Sequence, residues 1–345
     1  MPDIHWTRAL VTGASGCIGS ALVRRLLEMG TAVTVLVRDR SRLEEALGPA
    51  ADHVRLVVGD LNDAAALASA VEGAEIVFHA AARVHSLPRS REEEQEFWEV
   101  NVAGTEALLA ASARVASLKS FIFFSTVAVY GPAAGPLTES TPCAPETAYG
   151  RSKLKAENKV LAFGSSNGAH GVVLRLSMVY GEGDRGNLQR MIAAIERGKY
   201  VHIGGGRARK SATYVANVVD AAVLAASAAP AQGQVLLVSD PQPYCLREIA
   251  NTIAHELGTS APYVSLPVWI MMLAGRSFGL VQRLTGIRAP FTAREVRTLT
   301  TDVVCDTAKL QTLGFTARVR LEEGIARTVR SYKRQRTSKT SAASA

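Results

Sequence analysis

The chain has 345 residues, 48% of them hydrophobic, and 39 Lys and Arg against 31 Asp and Glu give a formal net charge of +8. That balance excludes a chain disordered over most of its length, and 28 Gly without a three-residue period beside only four Cys exclude collagen and disulfide scaffolds. At roughly 150 residues per domain the length suits one large domain or a large and a small one.

The predicted elements begin with a strand at 9–12 and a helix at 20–28, whose Ala21, Leu22, Val23, Leu26 and Leu27 are apolar. Strands follow at 31–37 and 54–58, a helix at 63–70, a strand at 75–79, a long helix at 94–115 and a strand at 121–125. A helix at 148–163 and a strand at 171–176 complete this half. Strands separated by helical stretches require crossovers and therefore a parallel sheet. The fold class predicted is α/β, a doubly wound parallel (Rossmann) sheet with a smaller, mixed C-terminal domain.

After Leu176 the pattern loosens into helices at 188–197 and 217–228, a strand at 235–238 and a helix at 246–257. An apolar helical region at 268–284, a short segment at 302–305 and a last helix at 321–332 follow. Residues 1–178 are expected to bind a dinucleotide, with parts of 213–240 completing the sheet. Residues 179–332 are expected to bind mainly substrate, and 333–345 to form a disordered basic tail. The stretch from Val264 to Gly275 is too short to span a membrane, which needs about 20 apolar residues. A peripheral membrane contact stays open, and no nucleic-acid motif accompanies the tail.

Cys17, Cys143, Cys245 and Cys305 make no CxxC pair, so no metal site can be written and reduced thiols are expected. The opening MPDIHWTRALVTG lacks the charged and apolar regions of a signal peptide, which gives a cytoplasmic expectation.

The strongest local signal is TGASGCIGS, between the first strand and the first helix. Gly13 suits the turn, Gly16 a close approach to a pyrophosphate, and Gly19 the packing of helix on strand; the helix N-terminus then faces the anion. At the end of the second strand an acid binds a ribose 2′-hydroxyl and a base accepts a 2′-phosphate. Here Arg38 follows Val37, with Arg40 and Arg42 close by, which favours NADP. The alternative is that Arg38 only solvates a loop and Asp39 contacts the ribose, as for NAD. Asp60, after the third strand, is placed near the adenine or acts as a simple cap.

Further along stand HAAARVH from His79, then Asn101, FFSTVAVYG and YGRSK. Tyr149 and Lys153 are i and i+4 on a helix and share a face. A phenol with a pKa of about 10 is too weak a base at neutral pH, and a neighbouring ammonium favours its phenolate. In order and spacing these motifs resemble the extended short-chain dehydrogenase/reductase (NAD-dependent epimerase/dehydratase) family over nearly the whole chain except the tail.

The resemblance implies that Tyr149 exchanges the proton of a substrate hydroxyl and that Lys153 binds the nicotinamide ribose. It puts the substrate-orienting hydroxyl at Thr126 or its neighbour Ser125, with Thr126 assigned and the two not separable by sequence. The implied cofactor set is Gly13, Ser15, Gly16, Cys17, Ile18, Gly19, Arg38, Asp60, Leu61, Ala80, Ala81, Tyr149 and Lys153. Asn101 matches an Asn that holds a helix kink and a relay water, or is a plain surface residue. His79 is read as packing, and His85 and His170 carry no pattern.

The later strings LRLSMVYGEGDRGNLQRMI and GGGRARKSATYVANVVDA look most like the UDP-glucose 4-epimerase-like subgroup. This implies an enzyme that moves hydride at a nucleotide-sugar carbon, C4 by expectation, as an epimerase or a reductase. Asn187, Leu188, Arg209 and Lys210 are then expected to hold the substrate's diphosphate or uridine. Lys210 stands where many such epimerases have Arg and cannot make the bidentate contact. A homodimer through the helices at 94–115 and 148–163 is also implied. The region LPVWIMMLAGRSFGLVQRL is similar to 3β-hydroxysteroid and sterol dehydrogenases, and dihydroflavonol-type ketoreductases share the Arg after the second strand. A non-catalytic NADP-binding regulator is the third reading.

Overall fold

The computed structural model describes residues 6–84, 90–133, 135–184, 186–285 and 291–343. The first half runs β1 (Arg8–Thr12), α1 (Cys17–Glu28), β2 (Ala32–Val37), α2 (Arg40–Leu47), β3 (Val54–Val58), α3 (Ala64–Val71) and β4 (Ile76–His79). It continues with α4 (Arg91–Trp98), α5 (Gly104–Ser112), β5 (Ser120–Thr126), α6 (Ala148–Asn167) and β6 (His170–Leu176).

The remainder comprises β7 (Met178–Tyr180), α7 (Asn187–Glu196), β8 (His202–Ile203), β9 (Arg209–Lys210), β10 (Ala212–Tyr214), α8 (Val215–Ser227) and β11 (Val235–Val238). Then come β12 (Tyr244–Cys245), α9 (Leu246–Leu257), β13 (Ser265–Leu266), α10 (Val268–Thr285), α11 (Ala293–Thr300), α12 (Ala308–Thr312) and α13 (Leu321–Ala343).

Seven strands form one sheet in the order β11-β6-β5-β4-β1-β2-β3. Every neighbouring pair is parallel. This is the doubly wound Rossmann arrangement with one added edge strand, and its order reverses between β1 and β4.

Alternate residues of the central strands serve opposite faces, as the pleat demands. Val11, Val35, Phe78, Ile122 and Leu174 meet α1 and α8 on one face, while Leu10, Val77, Phe121, Phe123 and Val173 meet α3, α5 and α6 on the other. The third core cluster joins α7, α9 and α13 around Tyr180 and Tyr214. Two-stranded pairs, β10 with β7, β12 with β9 and β13 with β8, supply the smaller mixed region.

The sequence predicts no helix where α2, α11 and α12 stand, and three of the predicted helices depart most from expectation. The first helix starts at Cys17, not at residue 20, because Gly16 is itself the helix N-cap. The long helix predicted over 94–115 is divided: residues Glu99–Ala103 form a π-helical turn between α4 and α5. The π turn is capped by Gly104, and a single Gly inside a helical pattern does not by itself mark a break. The last helix passes Tyr332 and reaches Ala343, so the expected basic tail is helical over that length. Tyr332 donates to Glu196 at 2.9 Å and Arg336 pairs with the same carboxylate, which fixes the extension against α7.

Candidate active site

The glycine turn lies between β1 and α1, at the strand ends where the sheet order reverses. Gly13 has φ +74°, and a Cβ there would stand 2.6 Å from the Ala81 amide nitrogen, in the chain leaving β4. A Cβ on Gly19 would meet the Gly13 carbonyl at 2.2 Å. These two positions therefore need glycine on steric grounds.

Gly16 caps α1 without any side-chain acceptor, and the first turn of α1 holds no acid. The amides at the start of α1 thus remain available to an anion, and the cradle fits a dinucleotide pyrophosphate. Burial, reinforced by Asp184 and Glu182, raises the Cys17 thiol well above its ordinary value, so it stays neutral.

At the end of β2 the carboxylate of Asp39 accepts from the Ser41 amide at 2.9 Å, from the Arg42 amide and from the Ser41 hydroxyl. It is thereby committed as the N-cap of α2. Arg38 is exposed beside it. After β3, Asp60 accepts from the Asn62 amide at 2.8 Å, in its own turn, and Leu61 is buried against Gly104. Ala80 and Ala81 continue from β4 over the glycine turn.

Thr126 ends β5, and Tyr149 and Lys153 lie on the first two turns of α6, which Thr147 caps by accepting from the Gly150 amide at 2.8 Å. The hydroxyls of Thr126 and Tyr149 are hydrogen-bonded to each other. Burial pushes the Tyr149 phenol up to about 12, and the Thr126 bond works against that rise. Burial lowers Lys153 to about 7, opposed by the charge of Glu157. The Lys153 ammonium sits over the Phe123 ring, 3.8 Å from its centroid.

Sequence could not separate Ser125 from Thr126, and geometry does. Thr126 bonds Tyr149, whereas the Ser125 hydroxyl donates to Glu157, two turns further along α6. Glu157 is also gripped by Arg175, whose Nη2 and Nε reach its Oε2 at 2.7 and 3.1 Å. The Nη1 of Arg175 donates to the Tyr130 hydroxyl at 2.8 Å. Glu157, Arg175 and Tyr130 are all buried and were not singled out from sequence. Two signals were present: Glu157 is i+4 from Lys153, and Arg175 interrupts the apolar strand GVVLRL.

Asn101 lies in the π turn and is buried. Its Oδ1 accepts from the Arg83 amide at 2.8 Å, and its Nδ2 donates to the Arg83 carbonyl at 3.1 Å and to the Ser152 hydroxyl at 2.9 Å. Asn101 thus ties the segment after β4 to the catalytic helix and is no surface residue. His79 is fully buried between Thr12 at 2.7 Å and Thr105 at 2.9 Å, and burial, with Lys153 nearby, lowers it to about 3. It stays neutral in the core. His85 lies outside the described residues.

The four residues expected at the substrate diphosphate are differently engaged. Lys210 is buried and donates to the carbonyls of Thr298 and Thr301, at 2.6 and 2.5 Å, so its ammonium caps the C-terminal end of α11. Arg209 is exposed and paired with Asp302 at 2.9 Å. Leu188 is buried in the third core cluster, and Asn187 is exposed at the start of α7. The Asp184 carboxylate already meets that helix start, accepting from the Gly186 amide at 2.7 Å. A converging cation pair is therefore not formed by these residues, because the backbone of β9 turns Lys210 inward.

Comparison with known proteins agrees with this geometry. The chain is 29% identical to UDP-glucose 4-epimerase of Vibrio cholerae over 332 residues, 94% of each protein. It is 28% identical, over 93% of each chain, to N-acetyl-alpha-D-glucosaminyl-diphospho-ditrans,octacis-undecaprenol 4-epimerase of Escherichia coli O157:H7. The fold superposes on UDP-glucuronic acid 4-epimerase from Bacillus cereus with a TM-score of 0.77, at 21% identity, covering 95% of this chain and 99% of that one. Residues 9–238 match the family described as NAD dependent epimerase/dehydratase. With its glycine turn and its Thr126, Tyr149 and Lys153 in place, the chain belongs to the NAD dependent epimerase/dehydratase family.

Proposed function

We propose that this enzyme is a 4-epimerase of a nucleotide sugar, oxidising and re-reducing the sugar C4 hydroxyl. The observation that carries the reading is the bond of Thr126, at the end of β5, to Tyr149 in the first turn of α6, with Lys153 one turn further along the same helix. The bound nicotinamide ring supplies the acceptor and donor of hydride.

Tyr149 Oη takes the hydroxyl proton as C4 loses hydride, and returns it when the ketone is reduced from its other face. Substrate and product are then isomers, and no net redox change remains. A phenol at about 12 must be drawn down to do this. Lys153, on the same helix face, favours phenolate whenever it is charged. Glu157 favours the charged ammonium and so supports the pair indirectly. Thr126 holds the phenol oxygen and, through it, the substrate oxygen.

Two relatives support the C4 assignment, since both are named as 4-epimerases. Gly13, Ser15, Gly16, Cys17, Ile18 and Gly19 are proposed to hold the cofactor's pyrophosphate, with Asp60, Leu61, Ala80 and Ala81 along its adenosine half. Asp39 is committed to its helix cap, which leaves Arg38 to face the adenosine ribose. A homodimer through α4–α5 and α6 is part of the proposal, and a monomeric mass by light scattering would end that part.

The test is to denature freshly purified protein, identify the nucleotide released, and assay UDP-glucose for conversion to its C4 epimer. Stoichiometric NAD or NADP with epimer formed supports the proposal. An empty site that binds NADPH more tightly than NADH, with no epimer formed, overturns it in favour of a turnover reductase.

A further inference from the structure

The surface of the α10 segment has no role in the chemistry above. Six apolar side chains, Tyr263, Val264, Val268, Trp269, Ile270 and Leu273, are exposed together where β13 leads into α10. Tyr263 is 90% and Trp269 65% exposed, values rare for rings in a folded surface. Trp269, Leu273 and Arg276 are i, i+4 and i+7 and share one helix face.

The opposite side of α10 is occupied: Gly275 packs so closely on α11 that a Cβ would stand 2.6 Å from the Ala293 amide. Arg294 of α11 pairs with Glu146 at 3.5 Å, next to the start of α6. The apolar face is therefore linked through α11 to the chain just before α6.

Charge decides what covers it. From Leu257 to Arg294 the sequence has four arginines and no Asp or Glu, and of these Arg276 is exposed on the face itself while Arg294 is paired with Glu146. Two copies of this surface would bring like charges together. An anionic bilayer offers the complementary charge, and Trp and Tyr rings favour the headgroup level. No helix among the described residues is long and apolar enough to cross a membrane, so the contact is with the surface. We propose that the Trp269–Leu273 face docks on an anionic lipid bilayer, with the apolar rings at the headgroup boundary and Arg276 on phosphates. The proposal stands apart from the identity of the sugar.

The experiment is co-sedimentation of the full chain with phosphatidylcholine vesicles, with and without phosphatidylglycerol. Binding should rise several-fold with the anionic lipid, fall with added salt, and drop several-fold in the double variant Trp269→Ala with Leu273→Ala. Both residues are exposed, so the melting temperature should not move. Brominated lipid should quench the Trp269 emission, and Trp269→Phe should remove that quenching while sedimentation persists. Binding that ignores both the anionic lipid and the double substitution overturns the proposal. A fall in oligomeric mass of the double variant, with sedimentation unchanged, would instead make the face a contact between copies and equally overturn it.

Discussion

Tyr149 and Thr126 share a hydrogen bond, while Lys153 is held uncomfortably in an apolar place. Replacing Tyr149 by Phe removes only the proton-carrying oxygen. Turnover should fall by about 10²–10⁴-fold with the melting temperature little changed, and a smaller loss would point to another base. Lys153 makes stability depend on pH. Its folded-state pKa of about 7 lies below the ordinary 10.5, because burial disfavours the charge. Between those values the unfolded chain holds a proton that the folded chain has released, so stability should rise with pH across that window. Lys210, lowered to about 8 by burial, adds to the upper part. Melting curves over the window should show the rise flattened in Lys153→Met. Glu157→Gln takes one charge from a buried pair and leaves the Arg175 guanidinium without its counter-ion. Urea unfolding should show a loss of roughly 3–5 kcal/mol. Much of that loss should return when Arg175→Met is added.

At the scale of elements, the turn between β1 and α1 is the most demanding. Gly13→Ala sets a side chain at φ +74° and against the Ala81 amide. A cost of about 1–3 kcal/mol in stability is expected, together with weakened dinucleotide binding by calorimetry; unaltered affinity would contradict the cradle. This turn was legible in the sequence because glycine is chemically distinctive. So were the central strands, since a strand buried on both faces must be a continuous apolar run. The π turn was not legible in the pattern of EFWEVNVAGTEALL, where only the resemblance marked a kink at Asn101, and the bonds of Asn101 to Arg83 and Ser152 show why the turn opens there. Nor was the inward direction of Lys210. That depends on which side of the two-residue strand β9 faces α11, and a pairing so short leaves no periodicity to read.

The sequence expectation already let parts of 213–240 complete the sheet of the cofactor part, and the shared core reaches later still. Strand β11, at one edge of the main sheet, arrives only after α7 and α8, and α8 packs its Val218, Val219 and Ala222 into the same core as α1. Leu310 and Phe315, later still, belong to that core as well. A fragment ending at residue 178 should therefore fail to give a cooperative thermal transition or bind dinucleotide, and a cooperative, binding fragment would show that the edge strand is dispensable. The same arrangement has a consequence for biosynthesis. Synthesis proceeds from the N-terminus, and domains generally fold as units. Here the nascent chain carries a sheet whose β6 side stays bare until β11 has cleared the ribosome, and a core that lacks Leu310 and Phe315 until those residues follow. Slowing translation just before that point should lengthen the interval in which a chaperone holds the chain.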